Sequence, residues 1–157
     1  SDLYCEALTR ELNLQDRVHF HGFVPFDKMA EIYREATLVA VPSVWPEPIA
    51  TIGLEVLRYG LPVVGFDAGG IRDWLRDGET GFLIPWMDVP AMTARIDELL
   101  ADKELAKRLG EQGREFVNRA YAFTPYIERM KRVFHALIEK RGPAESDRGV
   151  RNTEPAC

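Results

Sequence analysis

Glu47 and Glu55, eight residues apart in the stretch PSVWPEPIATIGLE (42–55), are the residues whose type and spacing offer chemistry most directly. Glu47 ends a proline-rich turn. The segment behind it, IATIGLEVLRY, is apolar nearly all round, with only Glu55 and Arg58 charged, and so predicts a short buried helix. A carboxylate on such a helix is costly unless something pairs with it. With Glu47 just ahead of the helix start, two carboxylates and a set of free helix-start N–H groups converge on one cleft. Carboxylates accept hydrogen bonds from vicinal hydroxyls, while helix-start amides hold phosphate oxygens. A ligand with diol, diphosphate and diol in series, a nucleotide sugar, meets that polarity. Taken singly, each glutamate has a plainer reading. Glu47 can complement a helix N-terminus, worth about 0.3–1 kcal/mol, and Glu55 can pair with Arg58 one turn on.

Other polar residues carry less. His19 and His21 share a face of the expected strand VHFHG (18–22), but no third ligand stands at a suitable spacing, so no metal site is expected. Ser43 has no His and Asp partners to make it a nucleophile. Trp45, Trp74 and Trp86 read as core or cleft wall rather than as sugar-stacking platforms, and Cys5 as a small core residue. Gly69-Gly70 suits a strand-to-helix turn for backbone reasons, and Asp77-Gly78 with Gly81 shapes a turn into a strand.

The elements that must position these residues alternate between two periods. VHFHG (18–22), TLVAVPS (37–43), PVVGF (62–66) and GFLIP (81–85) are near-continuous apolar runs, as in strands covered on both faces. Between and after them lie helical patterns. Met29, Ile32, Tyr33 and Ala36 form one stripe. Met92, Ile96, Leu99 and Leu100 form a second, and Leu105, Leu109, Phe116 and Val117 a third. A last helix, opening at Thr124-Pro125, carries Tyr126, Ile127, Met130, Val133, Phe134 and Leu137. This alternation predicts an α/β fold, a Rossmann-like doubly wound parallel sheet whose ligands bind beyond the carboxyl ends of the strands.

Composition bounds the rest. At 157 residues with 46% hydrophobic and 29% charged side chains, the chain suits one globular domain or a piece of one. Twenty basic against 25 acidic side chains, net −5, argues against a general nucleic-acid binder. No apolar run is long enough to cross a membrane as a helix. Two cysteines at opposite ends build no disulfide framework, which makes a reducing, cytoplasmic compartment the expectation. The segment 141–157, almost devoid of large apolar residues, is expected to be a disordered tail behind a folded part spanning 1–140.

In order along the chain stand Pro42-Ser43, Glu47, Glu55, Gly60-Leu61-Pro62-Val63, Gly69-Gly70 and Asp77-Gly78-x-x-Gly81, preceded by Arg17-Val18-x-Phe20-x-Gly22. This pattern, over roughly residues 5–135, resembles the carboxy-terminal, donor-binding part of the retaining GT-B glycosyltransferases of family 4. The resemblance implies transfer of a sugar from a nucleoside diphosphate sugar to an acceptor, with retention at the anomeric carbon and no metal or other cofactor. It implies that Glu47, as the catalytic glutamate, holds donor-sugar hydroxyls. The amides of Ile49, Ala50 and Thr51 would face sugar and diphosphate. Glu55 would bind the ribose diol, and His21, Gly22 and Val24 would lie near the base.

The chain departs from the family in two respects. Many members carry Gly-Phe-Gly where this one has Pro48-Ile49-Ala50, which puts a Cβ at Ala50 beside the donor. The acceptor-binding N-terminal domain, through which peripheral membrane association could run, is expected to lie outside the chain. So are the first two strands of the C-terminal domain, with the Arg and Lys that neutralise the diphosphate. In the family's strand order, 3-2-1-4-5-6, VHFHG is then left without a neighbour, and the chain alone is expected to be inactive. A nucleotide-sugar epimerase or phosphorylase of the same architecture, and a non-catalytic nucleotide-binding fragment, are the alternatives. The pattern leaves sugar, base and acceptor open.

Overall fold

In the computed structural model, which describes residues 2–141, three short strands form a parallel sheet. β1 (Val39–Val41), β2 (Val63–Phe66) and β3 (Gly81–Ile84) lie in that order, Val39 opposite Val63 and Val63 opposite Gly81. The helices are α1 (Asp2–Glu11), α2 (Phe26–Glu35), α3 (Thr51–Arg58), α4 (Val89–Ala101), α5 (Lys103–Ala120) and α6 (Phe123–Arg141). A 3₁₀ turn, Gly69–Asp73, follows β2.

The central strand shows why the expected architecture forms. All four residues of β2 are buried, and they alternate between two cores. Val63 packs in one core with Tyr33 of α2, Val56 and Leu57 of α3, and Trp74. Val64 and Phe66 pack in the other with Phe82, Ile84, Met92 and Leu99. A strand covered on both faces has no polar side to show, hence its continuous apolarity. The α4 and α5 starts are set by Asp88 and Asp102, whose side chains accept from the amides of Ala91 and Leu105 at 3.0 and 2.9 Å.

Four expectations need correction. VHFHG is not a strand: residues 18–22 pair with nothing in the sheet, and Phe20 and Phe23 are exposed. A lone strand has no ladder to offset its ordering, so this run stays irregular. Cys5 is exposed rather than core, because α1 turns Leu3, Tyr4 and Leu8 to solvent as well. The helix after Glu47 is buried only through Gly53, Val56 and Leu57, while Ile52 and Arg58 are exposed. α6 begins at Phe123, so Thr124 lies inside its first turn instead of capping it, and Pro125 remains where no intrahelical N–H is needed. Along α6, Ile127 and Met130 are half-buried, whereas Val133, Phe134 and Leu137 are exposed. The tail expected to be disordered lies, but for its first residue, outside the described residues. Among those described, no helix is long and apolar enough to cross a membrane.

Candidate functional site

Parallel strands end at one edge of their sheet, so the segments following β1, β2 and β3 meet there. Residues 42–50 follow β1, and hydrogen bonds from the other two segments hold them. The Trp86 indole Nε1, just after β3, donates to the Val44 carbonyl at 3.1 Å. The Gly70 amide, after β2, donates to the Glu47 carbonyl at 2.8 Å. The Trp74 indole donates to the Ile49 carbonyl at 2.5 Å. Trp74 is fully buried, and its ring occupies the space beside Gly53 of α3, where a Cβ would overlap it.

The glycine pair has a larger part than a turn alone requires. Gly69 has φ +61°, and a Cβ there would overlap the Glu47 backbone. A Cβ on Gly70 would overlap the Pro48 carbonyl. These two residues let the glutamate loop and the 3₁₀ turn touch, backbone to backbone. Beside them Arg72 donates to both oxygens of Asp67, with Nε to Oδ1 at 2.9 Å, and these bonds hold the guanidinium pKa above its usual value. Of the three tryptophans, Trp74 is core, Trp86 braces the loop from an exposed position, and Trp45 is 75% exposed.

At the loop's end Ala50 is the N-cap of α3, with φ 47° and ψ 67°. This left-handed conformation turns the chain into the helix. Among the described residues no acceptor meets the N–H groups of Ile49, Ala50 or Thr51, and no cation pairs with the half-buried Glu47. Free donors at the positive end of a helix favour an anion.

Glu55 lies one turn further along α3, half-buried. The alternative of an ion pair with Arg58 is not realised among the described residues. Glu55 acts instead on Tyr33 of α2, which is 4% exposed and whose hydroxyl makes no hydrogen bond among the described residues. Burial first, then the negative charge of Glu55, raise the Tyr33 pKa above its ordinary 10.0.

Glu47, Ile49, Ala50, Thr51 and Glu55 are thus gathered on the loop and first turns of one helix. His21 and Val24 line a cavity of about 320 Å³ with Lys28, Glu31, Ile32 and Glu35, on a different face of α2 from Tyr33. Sequence reasoning missed the bracing role of Trp74 and the burial of the Tyr33 hydroxyl without a partner among the described residues. The only sequence signals were a tryptophan directly after a glycine-rich turn and a tyrosine on an otherwise aliphatic stripe. Among the described residues no three His, Cys, Asp or Glu side chains are grouped so as to hold a metal.

Residues 2–116 match the family model described as "Glycosyl transferases group 1". The chain is 34% identical over 103 residues to D-inositol 3-phosphate glycosyltransferase of Nocardia farcinica, an alignment covering 66% of this chain and 23% of that protein. Sucrose-phosphate synthase of Thermosynechococcus elongatus superposes with a TM-score of 0.78 at 33% identity, over 85% of this chain and 33% of that one. HepE of Anabaena, solved with UDP-glucose, superposes at 0.77 with 21% identity, over 85% of this chain and 36% of that one, a likeness of fold. The chain spans between 23% and 34% of the length of the first curated relatives it matches.

Proposed function

Since the chain belongs to the group 1 glycosyl transferases and has the α/β architecture of GT-B C-terminal domains, we propose that it supplies the nucleotide-sugar site of a retaining glycosyltransferase of family 4. The acceptor side is then supplied by residues outside the chain, and the chain alone transfers no sugar. One observation carries this reading. The segments after all three strands converge on residues 42–50, so that Glu47 and the unpartnered amides of Ile49, Ala50 and Thr51 are held at the start of α3.

In the proposed mechanism these amides donate to the diphosphate oxygens at the positive end of the α3 dipole, and they stabilise the negative charge that grows there as the sugar departs. Glu47 accepts hydrogen bonds from donor-sugar hydroxyls, which gain strength as the ring becomes oxocarbenium-like. Glu55 accepts both ribose hydroxyls. His21, Gly22 and Val24 lie near the base. Neither a metal nor another cofactor takes part. The structure of HepE with UDP-glucose makes UDP-glucose a suitable first probe.

The roles separate in a binding experiment. Glu55→Ala weakens UDP and UDP-glucose alike, on the order of tenfold to a hundredfold for a lost pair of charge-assisted hydrogen bonds. Glu47→Ala weakens UDP-glucose and leaves UDP unchanged. Equal losses for both ligands in Glu47→Ala would contradict its assignment to the sugar.

A further inference from the structure

Tyr33 is a polar group stored where no water reaches it. Its hydroxyl is buried and, among the described residues, without a partner. Such a group costs free energy in the folded state and calls for an explanation. Its ring packs against that of Tyr59, with centroids 5.0 Å apart and planes at 46°. Tyr59 follows Glu55 by four residues and caps α3, so the two share one face of that helix. The Tyr33 ring therefore lies against the face that carries Glu55. Among the groups acting on the hydroxyl, Glu55 is the one carboxylate.

We propose that Tyr33 is a positioning residue for Glu55: its hydroxyl, unpartnered in the free chain, donates to the Glu55 carboxylate when that carboxylate turns to the vicinal hydroxyls of a bound nucleoside diphosphate. The inference rests on the reading of Glu55 as the ribose ligand. An ionised carboxylate has about four acceptor sites, enough for two ribose hydroxyls and one phenol. On α2 the hydroxyl is fixed by the core around it, whereas Glu55 is half-buried and keeps freedom to turn. The bond made with ligand in place satisfies the buried hydroxyl, so the free energy that the lone hydroxyl costs the free chain is recovered on binding.

The test is a set of NMR titrations on the full chain, with UDP, GDP and ADP tried in turn and the tightest carried forward. Tyr33→Phe, which keeps the ring and removes only the hydroxyl, is expected to weaken binding about 5- to 10-fold. Glu55→Ala is expected to weaken it more, and the double variant no further than Glu55→Ala alone. Against the same nucleotide lacking both ribose hydroxyls, Tyr33→Phe and the unaltered chain bind equally, an outcome a merely structural role would not give. If Glu55→Ala weakens binding while Tyr33→Phe does not, or if the two losses add in full, the positioning role is overturned and the ribose assignment stands. If Glu55→Ala changes nothing, or none of the three nucleotides binds, the donor-site reading fails and takes this inference with it.

Discussion

The Gly70 amide and the Glu47 carbonyl are joined by a 2.8 Å hydrogen bond that ties the segment after β2 to the segment after β1. The bond exists because residue 70 has no Cβ: one there would run into the Pro48 carbonyl. The position of Glu47 thus depends on a residue that touches no ligand in the proposed mechanism.

Gly70→Ala is accordingly expected to push the glutamate loop off the 3₁₀ turn. Overpacking of this kind costs about 1–3 kcal/mol, to be read from urea unfolding. UDP-glucose affinity should fall by at least about tenfold, since about 1.4 kcal/mol of lost positioning already gives that factor. An alanine variant that binds as before would separate Glu47 from the glycine pair.

Ala50 offers the opposite experiment. It holds a left-handed conformation, φ 47°, that costs an alanine about 1–2 kcal/mol and a glycine little. Part of that gain is returned through the greater freedom of glycine in the unfolded chain. Ala50→Gly should therefore stabilise the chain by about 0.5–1 kcal/mol in the same urea measurement. A destabilised variant would mean that the buried Ala50 methyl contributes more than the strain costs.

Alkaline pH should weaken the fold through two tyrosines. Burial and then Glu55 raise the pKa of Tyr33, and burial and then Asp73 raise that of Tyr121, both from 10.0. Below pH 10 each is protonated in both the folded and the unfolded chain and adds no slope. Above it the unfolded chain loses its protons first, so stability falls as pH rises until the folded tyrosines ionise too. Tyr33→Phe should flatten this fall. It should also raise stability at neutral pH by about 1 kcal/mol, because an unpaired buried hydroxyl is removed. Urea midpoints at pH 7 and above pH 10 measure both effects.

How far these features could be read in advance follows from the range of each signal. β2 and β3 were legible because burial on both faces leaves Val63, Val64, Phe82 and Ile84 apolar in a row. The stripes of α2, α4 and α5 were legible because a helix repeats its own period. Val18 to Gly22 has the same local composition as the true strands, but a strand is completed by neighbours, and pairing is not a local property. Glu47 and Glu55 stood out by spacing. That Gly70 and Trp74 hold the loop between them was hidden, since a contact between segments following different strands leaves no periodic trace. The left-handed conformation of Ala50 left no mark in its own residue type, and only the glycine that many members carry at that position pointed to it.

The central claim is that an anionic sugar nucleotide binds at the start of α3. The most direct measurement is an amide chemical-shift titration of the ¹⁵N-labelled chain with UDP-glucose. The expected result is saturable shifts concentrated at Ile49, Ala50 and Thr51, with the Trp74 indole following through its bond to Ile49, and the same response at about tenfold to a hundredfold higher ligand concentration in Glu55→Ala. Shifts confined to other surfaces, or no saturable response at any residue from 42 to 58, would contradict it.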